Sequence, residues 1–154
     1  MQVHGSCCAW DGLAVLLRGE PGSGKSDLAL RLVDSGFVLV ADDRVELALE
    51  GGRLVAAAPA ALAGLIEVRG IGILEVRTRA RAPLALLADL SPAGEAERLP
   101  EPSSERLLGI EIPRVRLAPQ SPSAVARLRV ALDVLAGRAA SRCGALGDRP
   151  ADAA

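Results

Sequence analysis

A chain of 154 residues with eighteen Lys plus Arg against nineteen Asp plus Glu has a formal net charge of −1, so no global basic field favours nucleic acid or an anionic membrane. Half of the residues are hydrophobic but only 1% are aromatic, Trp10 and Phe37, so a core of Leu, Val, Ile and Ala is expected and stacking platforms for single strands are not. The length suits one domain, about 100–150 residues being the commonest size, and MQVHGSCCAWDG lacks a basic segment followed by an apolar one, as a secretory signal would need.

In chain order, residues 2–9 and 13–18 read as strands joined at Trp10-Asp11-Gly12, because Asp-Gly is hairpin-turn chemistry. The second strand runs into GEPGSGKS at 19–26. Lys25 to Ser35 is helical by its stripe of Leu28, Leu32, Ala29 and Val33, with Gly36 as a cap. FVLVA, 37–41, is a short apolar run typical of a buried strand. VELALEGGRLVAA reads as a hairpin across Gly51-Gly52 and PAALAGL as a short helix.

IEVRG and GILEVR follow as strands separated around Gly70 and Gly72, and residues 82–90 form a further strand. Residues 91–105 collect Pro, Gly, Ser and Glu, the composition of a solvated loop. IEIPRVRL, 110–117, is expected at a sheet edge because Pro113 cannot donate to a ladder. Val125, Leu128, Leu132 and Leu135 give residues 123–136 helical spacing, and 138–154 read as a disordered tail. The pattern predicts a single α/β domain over 1–137, a mixed β-sheet with flanking helices. No run of about 18 apolar residues predicts a membrane span. The odd count of three cysteines, Cys7, Cys8 and Cys143, suits a reduced cytoplasm.

The chemistry is concentrated in a few stretches. Gly19, Glu20, Pro21, Gly22, Ser23, Gly24, Lys25 and Ser26 match G-x-x-x-x-G-K-[ST], a phosphate loop between strand and helix. Its glycines let successive N–H groups converge on phosphate oxygens, and the helix start adds a positive dipole end. Lys25, the only lysine of the chain, would reach the β and γ phosphates and Ser26 would offer a hydroxyl to Mg²⁺, so ATP and Mg²⁺ are the expected ligands.

One helix and one strand later comes Asp42-Asp43, which ends a strand either as turn chemistry or as an acid pair. A strand lying beside the loop strand would deliver the pair to the γ phosphate, where two carboxylates supply a base and a metal contact. Glu67 and Arg69 alternate on a strand and read equally as a solvated charged face, His4 as a polar residue satisfied by a carbonyl, and Arg106 as a surface arginine.

Taken together, VHG at 3–5, GEPGSGKS at 19–26, LVADDRV at 39–45 and IEVRGIGILEV at 66–76 resemble the HPr kinase/phosphorylase family, over residues 2–118 in order. The resemblance implies a core of the HPr kinase/phosphoenolpyruvate carboxykinase type and ATP-dependent phosphorylation of a serine on HPr, a small phosphocarrier protein of a phosphotransferase system. It implies that Asp43 accepts the serine proton beside Asp42, that His4 assists it, that Lys25 holds phosphates, that Ser26 and Glu67 contact Mg²⁺, and that Arg106 in ERLLG is the catalytic arginine. It also implies a homo-oligomer, since the family commonly forms hexamers.

Two departures stand out. Members usually carry a further amino-terminal domain, so the chain resembles the short, catalytic-domain form. Where they have a Gly-Arg-Asn loop linked to phosphorolysis, this chain has APQSPSAVARLR, which favours kinase over reverse activity. The competing expectations are a small-molecule kinase with 91–105 as lid, and an ATP-sensing module that transfers nothing. A nucleic-acid-dependent ATPase conflicts with the charge balance and the missing aromatics.

Overall fold

The computed structural model describes residues 1–93 and 97–152. Its elements are β1 (Gln2–His4), β2 (Ser6–Trp10), β3 (Leu13–Arg18), α1 (Lys25–Asp34), β4 (Val38–Ala41), β5 (Arg44–Glu50) and β6 (Arg53–Ala57). A 3₁₀ turn at Ala60–Leu62 leads to β7 (Leu65–Val68), β8 (Gly72–Glu75), β9 (Arg81–Leu90), β10 (Ser104–Leu107), β11 (Ile110–Leu117) and α2 (Ala124–Leu135). Nine strands form one mixed sheet in the order β1-β5-β6-β9-β3-β2-β4, with β11 also on β9 and β10 on β11. β7 and β8 pair separately.

The apolar runs LAVLLR and LALLADL explain why β3 and β9 lie parallel at the centre, since strands covered on both faces need side chains that lose water on both. One face packs Val15, Leu17, Leu86, Ala88 and Leu117 against Leu28 and Leu32 of α1 and Leu128 and Leu132 of α2. The other face has its own strand-only core, including Leu16, Val45, Leu47, Leu54, Leu84 and Leu87. Each fully buried leucine contributes about 1.5–3 kcal/mol by leaving water.

The sheet curls because its two ends are continuous in the chain. β1 pairs with β5 (His4↔Arg44) and β2 pairs with β4 (Cys7↔Ala41), both antiparallel. Between β1 and β2 stands Gly5, and between β4 and β5 stand Asp42 and Asp43, so one long ladder breaks at the same level on both strands. Gly5 N–H donates to the Asp43 carbonyl at 3.0 Å across that break.

Several sequence expectations are corrected. β4 does not lie beside β3: β2 already occupies that edge through its Asp11-Gly12 turn, and β4 adds on beyond it. β11 is not an edge strand, for it pairs antiparallel with β10 over 110–113 and parallel with β9 over 114–117. Pro113 falls where the partner changes, and there its missing N–H breaks no ladder.

The segment read as a solvated loop becomes β10 from Ser104, and residues 94–96 of it lie outside the described residues. In the segment read as a disordered tail, Ser141 bridges to Arg149 and Arg138 reaches Asp11 and Asp133, while residues 153–154 lie outside the described residues.

Candidate phosphoryl-transfer site

The break in the ladder and the phosphate loop open onto one cavity of about 600 Å³, lined by His4, Gly24, Lys25, Ser26, Asp43, Glu67 and Arg69 among others. The loop is shaped by close packing. A Cβ on Gly19 would lie 2.5 Å from Ser23 Oγ and 3.2 Å from the Leu90 carbonyl, so any larger residue would push Ser23 aside. Lys25 is buried and its Nζ donates to the carbonyls of Gly19 and Glu20 at 2.8 and 3.0 Å, leaving its third N–H for a ligand. Ser23 Oγ is buried with no partner. An unpaired buried hydroxyl in a loop of converging N–H groups fits an anion that completes it.

Asp42 and Asp43 are neighbours with opposite environments. Asp42 is buried and accepts from Ser6 Oγ at 2.8 Å and Ser26 Oγ at 2.9 Å on Oδ1, and from the Glu67 N–H at 3.3 Å on Oδ2. It thus ties three segments to the loop. Because Ser26 spends its proton on Asp42, its oxygen lone pairs are free to face a cation.

Asp43 is held in left-handed backbone (φ 69°), inside a three-residue turn closed by the Arg44 N–H donating to the Asp42 carbonyl at 2.8 Å. A non-glycine residue there is strained, a state found where a side chain has to be aimed. Its exposed carboxylate lies 3.7 Å from His4 Nδ1.

His4, Lys25, Ser26, Asp43 and Glu67 line one cavity, and Asp42 stands directly behind Ser26. Arg106 is not among the lining residues. It sits exposed on β10, and its Nε and Nη2 bind Glu111 across the hairpin at 3.1 Å. The arginine that does line the cavity is Arg69. Among the described residues no three His, Cys, Asp or Glu side chains gather as a metal cage. The Ser26 hydroxyl and Glu67 carboxylate are nonetheless the hard oxygen donors that suit Mg²⁺, an ion that keeps waters and phosphates as its other ligands.

Sequence reasoning missed Gly5 and Ser6 as parts of the site. A Cβ on Gly5 would lie 2.6 Å from the Leu17 carbonyl, which explains the glycine after His4. The available signal for Ser6 was a polar residue opening the apolar run SCCAW. Also missed was the brace below the loop, where Arg18 donates to Asp89 and Glu105, each at 2.8 Å for its shortest bond. Hydrogen bonding from Arg18 holds the Glu105 carboxyl below its usual range and raises the guanidinium's own pKa.

A glycine loop between strand and helix, its serine bonded to an aspartate at the end of a further strand, defines a phosphate-loop α/β domain. The chain belongs to the HPr Serine kinase C-terminal domain family, whose profile matches residues 1–131. It is 41% identical over 127 residues to the HPr kinase/phosphorylase of Bordetella pertussis, covering 75% of this chain and 41% of that protein. To the HPr kinase/phosphorylase of Burkholderia cenocepacia it is 38% identical over 126 residues, covering 75% and 39%. The chain therefore spans about two-fifths of these relatives' length. The HPr(Ser) kinase/phosphatase from Coxiella burnetii superposes with a TM-score of 0.70 at 28% identity, over 90% of this chain and 89% of that one.

Proposed function

We propose that residues 1–137 form the catalytic domain of an ATP- and Mg²⁺-dependent protein serine kinase that phosphorylates an HPr-like phosphocarrier in the cytoplasm. The observation that supports this most is the shared cavity: the phosphate loop and a strained, exposed Asp43 face the same space. Bound ATP with Mg²⁺ supplies the phosphoryl group and part of the charge that neutralises it. Lys25 and the backbone N–H groups of Gly22, Gly24, Lys25 and Ser26 hold phosphate oxygens, and Ser26 with Glu67 holds the metal.

Asp43 takes the proton from the acceptor serine hydroxyl as that oxygen becomes nucleophilic, and His4 keeps the carboxylate oriented from its Nδ1 side. Asp42 fixes Ser26 by accepting its hydroxyl proton in a hydrogen bond. Arg106 enters this chemistry only by leaving Glu111, whereas Arg69 already faces the cavity. Electrostatic positioning supplies most of the rate in such transfers.

Reverse phosphorolysis is proposed to be weak or absent. Arg31 donates to the carbonyls of Pro119 and Ser121, and Pro119 abuts the place a Gly24 Cβ would take, at 3.4 Å. The segment after β11 thus braces the loop with its backbone and apolar surface.

Incubation with labelled ATP, Mg²⁺ and candidate HPr proteins tests the reading. Label on a serine of the phosphocarrier supports it. Label on a metabolite makes the chain a small-molecule kinase, and nucleotide binding with no transfer makes it a sensor.

A further inference from the structure

The β7–β8 hairpin is built in two halves. Its base is core: Ile66 is buried at 1% exposure, and Val68 and Val76 pack against the cluster beneath α1. Its outer part is apolar and open to solvent, Ile71 and Ile73 being exposed at 71% and 72% with Leu74 at 37%. Isolated exposed apolar residues are ordinary, but the two most exposed isoleucines of the described chain within three positions of one hairpin form a patch.

The ladder register says where this patch points. Glu67 pairs with Ile73 and Val68 with Gly72. Directly opposed residues of an antiparallel pair share a face at about 5 Å, so Ile73 stands on the same face as the Glu67 side chain. Glu67, Val68 and Arg69 line the phosphate-loop cavity. The exposed apolar surface is therefore the rim of the transfer site, and whatever covers Ile73 also lies over Glu67.

We infer that the Ile71–Ile73 tip of the β7–β8 hairpin docks the phosphoryl acceptor, and that this acceptor is a folded protein with apolar side chains flanking its serine. The inference rests on the kinase reading above. The rim itself argues for a protein, because a small hydrophilic metabolite buried in the cavity would gain nothing from two isoleucines outside it, whereas a protein surface removes both from water. Arg69, exposed and lining the same cavity, supplies positive charge that complements an acidic or phosphate-bearing partner.

The test uses the full chain, unaltered and as Ile71→Ser/Ile73→Ser, with labelled ATP and an HPr-like phosphocarrier as acceptor. KM for the acceptor is expected to rise about tenfold or more, as loss of two buried apolar side chains implies, while kcat at saturating acceptor and affinity for ATP stay unchanged. The single variant Ile73→Ser should give an intermediate rise, and unchanged ATP affinity shows that the hairpin still folds.

An unchanged KM in an active double variant overturns the docking surface alone and leaves the kinase reading standing. No transfer to any protein by the unaltered chain overturns both. A loss of self-association in sedimentation with KM unchanged assigns the patch to a second copy of this chain, and likewise overturns acceptor docking.

Discussion

Two adjacent aspartates do different work because their backbones differ. Asp42, directly after β4, faces inward and accepts from Ser6, Ser26 and the Glu67 amide, while Asp43 is turned outward by its own left-handed backbone. Ser6→Ala removes a buried donor from Asp42, and the cost of such a loss is about 1–3 kcal/mol. Urea unfolding should show it as a lower midpoint at unchanged slope. Arg106→Ala should leave ATP affinity unchanged, since that side chain lies outside the cavity on Glu111; its proposed part in charge neutralisation requires a lower kcat, and an unchanged kcat removes it from the reaction. The sequence made the loop residues legible because their spacing is local. Ser6–Asp42 spans 36 positions, and no local pattern announces such a bond.

Among elements, the decisive feature is the level break shared by β1–β2 and β4–β5. Gly5 makes it possible by letting the chain pass against the Leu17 carbonyl. Gly5→Ala should cost about 1–3 kcal/mol through overpacking against backbone that cannot yield. A melting curve checks this, and transfer should fall with it because the Gly5 N–H also anchors the Asp43 carbonyl.

Strands and helices were largely readable from apolar runs, glycine turns and helical spacing. Their order was not: the sequence placed β4 next to β3, whereas the tight Asp11-Gly12 hairpin gives that edge to β2. Likewise Pro113 suggested an edge, but a strand that changes partners tolerates a missing donor at the switch.

At the scale of the whole molecule, the ion-pair brace of Arg18, Asp89, Glu105 and Arg114 joins β3, β9, β10 and β11 beneath the loop. Glu105 is depressed below its ordinary 4.5, chiefly by the Arg18 hydrogen bond. A depressed carboxylate contributes stability above its unfolded pKa and loses it as pH falls through the folded value, so this contribution should disappear below about pH 4.5. Glu105→Gln should flatten that part of the acid-denaturation curve. Burial pushes the Cys7 thiol up to about 12 and raises Cys8 as well, whereas Cys143 is exposed. Alkylation of the native chain should therefore label Cys143 alone.

All of these features serve one claim, that residue 43 is the base facing a nucleotide held by residues 19–26. Comparing Asp43→Asn with the unaltered chain tests it most directly, by ATP affinity and by label transferred to the phosphocarrier. The expected result is unchanged affinity with transfer reduced by about 10²–10⁴-fold, the usual contribution of a general base. Transfer at the unaltered rate would contradict the account.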